Sequence, residues 1–382
     1  MDPYSLLPLL YYAIASGLTT FGLRQRRQIR VLLLVPVWSL SLLALASSHR
    51  LSWLIGADST FASLLVFYLL YSAQILVFET HGISPEARAT NKEWSPTFLD
   101  CYRTWNNPRH LPIRLSNSRL DRQTTSSDIS LNNLTRFAFT KLAKAAALWS
   151  FEHFIFQRIF IRALGRVLIA DFSPETELLH MQLSSHQVQV RAIMSVQWIW
   201  RAYFFLEFYH SLLAIVFVAI LRFDCPDEWP GLFGSPSNAY SVRKFWGRFW
   251  HQLTIPTYIF YGRFASKQIL GLQPGSSLEK TAIAFFVFTI SGLSHSLVGW
   301  ALGDAALFRD ILFFEICFFA AACETLFHKS LRRASKILAQ TFVLPSLVRR
   351  VVGMVWVFVF FFCVSPLWIY PKIYHALLHP VS

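Results

Sequence analysis

Apolar residues in this chain gather into long runs, without the alternation of strands or the single stripe of a surface helix. A helix crossing a bilayer needs about 20 mostly apolar residues. Eight stretches meet that need: 5–23, 31–48, 60–79, 137–162, 196–221, 280–302, 307–327 and 351–371. The fourth is the most polar, with Lys141, Lys144, Glu152, His153 and Arg158 inside it, and reads as partly interfacial. The pattern predicts an all-α fold, a polytopic membrane helix bundle of about eight transmembrane helices. One membrane-embedded domain is expected over residues 1–382, with a polar loop at 80–130 and no internal repeat or heptad pattern.

Composition agrees with the pattern. The chain is 54% hydrophobic and only 15% charged, whereas soluble domains carry about 25% charged residues. The net charge of +14 reads on a membrane protein as positive-inside topology and attraction to anionic lipid, not as a nucleic-acid surface. Arg24, Arg26, Arg27 and Arg30 crowd the first link, and Lys329, Arg332, Arg333, Lys336, Arg349 and Arg350 crowd the last. Both links are expected in the cytosol, together with 80–136 and 222–279, which leaves both termini lumenal. This parity requires the charged fourth helix to span. Asn133-Leu134-Thr135 is a glycosylation sequon, placed by this topology on the cytosolic side, where it stays unmodified. The start Met1-Asp2-Pro3-Tyr4 has no basic n-region, so the first apolar run reads as a retained span. Cys101, Cys225, Cys317, Cys323 and Cys363 show no metal-like spacing.

Titratable groups at membrane depth are costly and mark functional sites by default. His295 stands in the middle of an apolar helix, with Ser291, Gly292 and Gly299 on its face. The small residues leave room for a substrate or for another backbone, so a proton-transfer role and a helix-gluing role are both open. Upstream, Trp229-Pro230-Gly231-Leu232-Phe233-Gly234 forms turns. Arg243, Lys244 and Arg248 then interleave with Phe245, Trp246, Phe249 and Trp250 before His251. A snorkelling interfacial helix explains that composition but not the histidine where the chain re-enters apolar sequence. Arg201, Glu207, His210, Glu315 and Glu324 are further ionisable residues within spans, read mainly as pairs between helices. Arg201 and Glu207 are not helical neighbours, and Glu315 is a candidate for supporting the site. No Ser-His-Asp set, Walker loop, zinc motif or dinucleotide fingerprint is present.

Taken together, Ser241, Phe245, Trp246, Gly247, Arg248, Trp250 and His251, followed by Ser291, Gly292 and His295, resemble the membrane-bound O-acyltransferase superfamily in its wax-synthase-like branch. Trp229 to Gly234 resembles the same branch, and Trp105 with Asn107-Pro108-Arg109 is similar to a loop of its fungal members. The resemblance is strongest over 225–305, the motif-bearing core. It implies acyl transfer from a coenzyme A thioester to a hydroxyl in a central, largely apolar tunnel, with no bound cofactor and no metal. His295 is then the general base, and His251 the group that meets the thioester oxygen or orients the acyl chain. Trp246, Trp250, Ser291 and Gly292 line the substrate site, and Arg243, Lys244 and Arg248 pair with coenzyme A phosphates. The resemblance favours acetyl-CoA as donor and a terpenoid or related secondary metabolite as acceptor, in the endoplasmic reticulum membrane. A long-chain wax ester or sterol ester synthase is the alternative within the class. A proton-coupled transporter, which should show inverted repeats, and a non-catalytic lipid-binding scaffold are the alternatives outside it.

Overall fold

The computed structural model describes residues 3–52, 57–78, 97–111, 131–165, 167–179, 183–304, 306–337 and 346–379. Most of the 80–130 loop lies outside the described residues. Among the described residues the chain is mostly helical and has no strand. In order run α1 (Leu7–Gly22), α2 (Arg27–Ala46), α3 (Ala57–Ala73, continued by a wide turn over Gln74–Phe78) and the short α4 (Phe98–Trp105). Next come α5 (Leu131–Ser150, running on through Phe151–Phe156 to Gln157–Leu164), α6 (Ser185–Ala214, continued over Ile215–Ile220) and α7 (Val242–Lys244, continued over Phe245–Phe249). The last four are α8 (Ile255–Phe264, continued over Ala265–Ile269), α9 (Ser277–Ala301), α10 (Phe308–Ile337) and α11 (Ser346–Leu378).

Among the described residues, seven helices are long and apolar enough to cross a membrane: Tyr4–Gly22, Arg27–Ala46, Asp58–Phe78, Ser185–Ile220, Ser277–Ala301, Phe308–Leu331 and Leu347–Leu378. The eighth expected span is α5, whose charges hold it below that apolarity. It is nonetheless a continuous helix, about 50 Å long at 1.5 Å per residue. Its charged groups find partners on α6 in antiparallel order. Lys144 Nζ lies 2.6 Å from Glu207 Oε2, and Glu152 Oε2 accepts from Trp200 Nε1 at 2.5 Å. Further along, Phe160 packs against the cluster of Val190 and Met194. The bundle is therefore seven apolar spans with one charged helix running beside the fourth.

The 222–279 link, expected on the cytosolic side, packs against the bundle. Its α8 packs along α3, with Tyr258 against Phe67 and Phe264 against Phe78, and Tyr261 donates to Leu70 O at 2.8 Å. Gly262 meets α9 so closely that a Cβ would stand 3.1 Å from Ile283 O. The chain dips into the bundle after α6 and returns along α8, a length of backbone tolerated at that depth because protein surrounds it.

Two prolines shape α11. Each removes an N–H from the helix and frees the carbonyl four residues back. Pro366 frees Phe362 O, which accepts from Arg191 Nη1 at 3.4 Å, and Pro371 frees Leu367 O, which accepts from Arg309 Nη1 at 3.5 Å. The same two arginines tie down the 167–179 segment: Arg191 donates to Thr176 O and Glu177 O, and Arg309 pairs with the Glu177 carboxylate at 2.9 Å. At the opposite end, Arg103 Nε donates to Phe223 O, Glu324 meets the start of α7, and Tyr240 lies against Gly353. Arg24 lies near Cys101 of α4, so the described flanks of the first and last basic links lie at one end of the bundle.

Candidate functional site

The basic-aromatic segment folds as a short, tightly capped helix. Ser241 Oγ accepts from Lys244 N at 3.2 Å, and Glu324 on α10 accepts from Val242 N at 2.8 Å, Arg243 N at 3.0 Å and Trp356 Nε1 at 2.7 Å. The three backbone N–H groups are first-turn donors that the helix itself leaves unsatisfied. One wide turn follows, closed by Trp250 N donating to Phe245 O at 2.8 Å, and it presses Phe245 and Phe249 into the core. Trp250 is extended, which ends the helix and presents His251.

His251 is clasped by the Trp229–Gly234 loop. Gly234 N donates to Phe249 O at 2.9 Å, and Gln252 N donates to Leu232 O at 3.2 Å, one bond on each side of the histidine. The approach demands glycine, since a Cβ at Gly234 would lie 2.0 Å from Arg248 O. Phe233 and Trp250 flank the imidazole with ring centroids 5.6 and 5.5 Å away, and its Nδ1 is buried without a hydrogen-bond partner.

The loop hangs on Glu207, a buried carboxylate of α6. Its Oε1 accepts from Leu232 N at 2.7 Å and Phe233 N at 3.0 Å, and its Oε2 takes the Lys144 ammonium. The loop carbonyls are held from the other side. Arg109 donates to Pro230 O and Gly231 O at 3.1 and 3.2 Å, and Lys141 donates to Trp229 O at 2.7 Å. The Trp229 indole donates to Asp224 at 2.9 Å, and burial pushes that carboxyl above the usual carboxylate range. A buried carboxylate that receives three donors, one of them charged, is stable and directional.

His295 projects from α9 on the face roughly opposite Leu293. Phe285, Leu293 and Trp300 form the outward surface of this helix. His295 is exposed too. An accessible ring on the inward face means open space between the helices at that point. Phe314 of α10 stacks on it at 5.1 Å and 22°, and Trp368 of α11 stands at 6.1 Å and 86°. Among the described residues none hydrogen-bonds to its ring nitrogens.

The two histidines, far apart in sequence, share one aromatic wall. Ring contacts run from His251 to Trp250, Trp246, Phe314 and His295, with centroids 5.1 to 5.5 Å apart. Trp246 and Trp250 stand on that wall. Ser291 Oγ turns back to Val287 O at 2.8 Å. Gly292, expected beside the substrate, also packs closely on α10, where a Cβ would come within 2.8 Å of Ile311 Cα. Arg243 and Arg248 are exposed, while the Lys244 ammonium sits 3.5 Å above the Tyr240 ring. Glu315 accepts from Thr289 at 2.6 Å and leaves its Oε2 buried and unpartnered. Arg201 lies over the Phe205 ring and lines a groove of about 470 Å³ with Glu152 and His153, away from both histidines. Among the described residues no three His, Cys, Asp or Glu side chains converge as metal ligands do.

The parts that sequence reasoning missed are the supports. Glu207 and Glu324 were visible as acids in apolar runs, but their partners are backbone N–H groups of distant segments, and no local pattern names those. The arrangement offers an accessible imidazole with free nitrogens, a second imidazole close by and a wide apolar wall. That combination suits removing a proton from a hydroxyl out of water's reach.

Residues 229–321, the stretch that contains both histidines, match the membrane bound O-acyl transferase family. Acetyltransferase nanB of Aspergillus nanangensis is 26% identical over 320 residues, 80% of this chain and 68% of its own length. Acetyltransferase eriL of Hericium erinaceus is 29% identical over 176 residues, 44% of this chain and 42% of its own. Acetyltransferase ple2 of Rhodocybe pseudopiperita reaches 38% identity over 85 residues, 22% of this chain and 21% of its own. The chain thus spans about two thirds of the first relative and less than half of the other two.

Proposed function

Because the chain belongs to the membrane bound O-acyl transferase family, we propose that it moves an acyl group, acetyl foremost, from acyl-CoA to the hydroxyl of a hydrophobic acceptor. The acceptor class we favour is a terpenoid or related secondary metabolite, and the setting is the endoplasmic reticulum membrane. The observation that carries the reading is the His295 ring, accessible yet inward-facing, unpartnered, and joined to His251 by one aromatic wall.

In this mechanism His295 takes the hydroxyl proton as the acceptor oxygen attacks the thioester carbonyl. The carbon–oxygen bond forms, and charge develops on the carbonyl oxygen, where the second nitrogen of His251 donates a hydrogen bond. The carbon–sulfur bond then breaks, and the thiolate of coenzyme A leaves with the proton held on His295. No covalent enzyme intermediate is needed. Trp246 and Trp250 pack the acyl and acceptor carbons and keep water out. Arg243 and Arg248, exposed at the basic end, meet the phosphates of the donor from the cytosol.

The test uses purified full-length protein with radiolabelled acyl-CoA of two to sixteen carbons and a panel of terpenoid alcohols. The expected result is transfer with a preference for two carbons. The similarity to acetyltransferases favours acetyl, and a preference for sixteen would convert the reading to a long-chain ester synthase. His295→Ala should lose about 10²- to 10⁴-fold in turnover, the usual contribution of a general base. Unchanged turnover in that variant refutes the base assignment.

A further inference from the structure

At the end of the bundle opposite the basic links, one charged cluster lies close behind the proposed base. Asp310 of α10 is fully buried. Its Oδ1 accepts from the Trp368 indole N–H at 2.6 Å, and both of its oxygens receive the Lys372 ammonium, at 2.8 and 3.0 Å. Lys372 also reaches Asp304 at 2.9 Å. Two carboxylates therefore face one ammonium. The neighbouring Arg309 is already neutralised by Glu177. The cluster keeps about one net negative charge in a region that water reaches poorly.

Trp368 links this cluster to the base. One side of its ring system stacks on Phe313 at 4.3 Å and 16°, and it meets the His295 ring near perpendicular. Its N–H bond to Asp310 removes the rotational freedom that stacking alone would leave. His295 has no hydrogen bond of its own, so its orientation depends on Phe314 beneath it and Trp368 beside it. When it accepts a proton it becomes a cation among apolar rings, where an unbalanced charge is costly. Asp310 and Lys372 act on that ring with opposite sign, the carboxylate favouring the cation and the ammonium opposing it.

We propose that Asp310, acting through Trp368, is a positioning residue for His295, and that the Asp310–Lys372–Asp304 cluster is the counter-charge to the imidazolium formed during the reaction. The inference rests on the acyl-transfer reading for its catalytic consequence, but not for the geometry. It assigns to the non-cytosolic end of α10 and α11 a role in turnover and none in donor binding.

Asp310→Leu removes the indole's acceptor together with the charge, and Trp368→Phe keeps an aromatic ring and removes the donor. Each should lower kcat about 10- to 100-fold, the usual scale for a residue that orients a functional group, with KM for acetyl-CoA unchanged within twofold. The double variant should cost no more than the worse single, because both break one linkage. Loss through KM alone, kcat within twofold of the parent in both singles, or full additivity overturns the proposal. A second readout needs no acceptor: the rate at which diethyl pyrocarbonate modifies His295, followed by mass spectrometry in folded protein. Both variants should change that rate by threefold or more, and an unchanged rate also overturns the proposal. If the parent transfers acetyl to no alcohol while the modification rate responds, acyl transfer fails and the positioning stands. If transfer proceeds and neither variant alters kcat or modification, the positioning fails and acyl transfer stands.

Discussion

At the scale of single residues, the site is governed by what each atom is prevented from touching. No described group hydrogen-bonds to the ring nitrogens of His295, which leaves them open to a ligand. His251 has one buried nitrogen without a partner, which leaves the other as the natural donor to substrate. Replacing His251 by Ala should lower kcat about 10²- to 10³-fold if it steadies the developing oxyanion. His251→Asn, which retains a donor, should recover part of that loss, and turnover assays on the two variants decide it. Glycines show the same logic in reverse. Gly234→Ala places a Cβ 2.0 Å from a backbone oxygen that cannot swing away, so the loop must shift. It should lower both the melting temperature and turnover. Gly292→Ala forces α9 from α10 at Ile311 and should destabilise the bundle by about 1–3 kcal/mol, the usual range for overpacking, read as a lowered midpoint in thermal unfolding in detergent.

At the scale of elements, two acids hold two motif segments from outside those segments. Glu207 gathers the Trp229–Gly234 loop and Glu324 gathers the start of α7. Their removal should act differently from removal of the histidines. Glu207→Ala leaves two buried N–H groups and the Lys144 ammonium without their acceptor, at about 1–3 kcal/mol per unsatisfied group. It should reduce folded yield as well as activity. Lys144→Met leaves Glu207 charged and should be nearly as damaging, whereas the double change Lys144→Met with Glu207→Gln should recover part of the folded fraction, since both charges leave together. Size-exclusion profiles of the three variants measure it, and an additive loss would show that the pair does not act as a unit. The elements themselves were largely legible. Seven of eight expected spans coincide with apolar helices because about 20 apolar residues can satisfy a bilayer in no other common way. α5 was legible as a charged and partly interfacial span, but its partners on α6 were not. α8 was missed as a packed element because it is shorter than a span and hydropathy has no signal for a segment that enters and returns.

At the scale of the whole molecule, charge and chemistry are segregated by end. Arg24 to Arg30, the Arg109 loop, α7 and the start of α11 gather at one end, whereas the Arg309–Glu177 pair and the Asp310–Lys372 cluster gather at the other. In the proposed reaction a donor with phosphates is drawn to the first end, which leaves the second end to serve the proposed base. Single cysteines placed at Arg26 and at Ser276, in a background lacking native cysteines, should react with a membrane-impermeant maleimide from the cytosol. A cysteine at Glu175 should react only after the membrane is permeabilised. The same labelling from a single side at all three positions would overturn the two-ended arrangement.

Composition and the spacing of apolar runs determined by themselves that this chain lives in a membrane as a helical bundle, because burial in lipid constrains every residue of a span. They also singled out His251 and His295, since an imidazole among apolar residues stands out against its neighbours. Only the folded structure decided that these two rings share one aromatic wall, that Gly292 packs against α10, that Glu207 and Glu324 accept from backbone N–H groups of the motif segments, and that Asp310 accepts from the Trp368 indole. Those outcomes depend on contacts between segments tens to hundreds of residues apart, and a local pattern carries no record of which distant backbone a buried carboxylate will find.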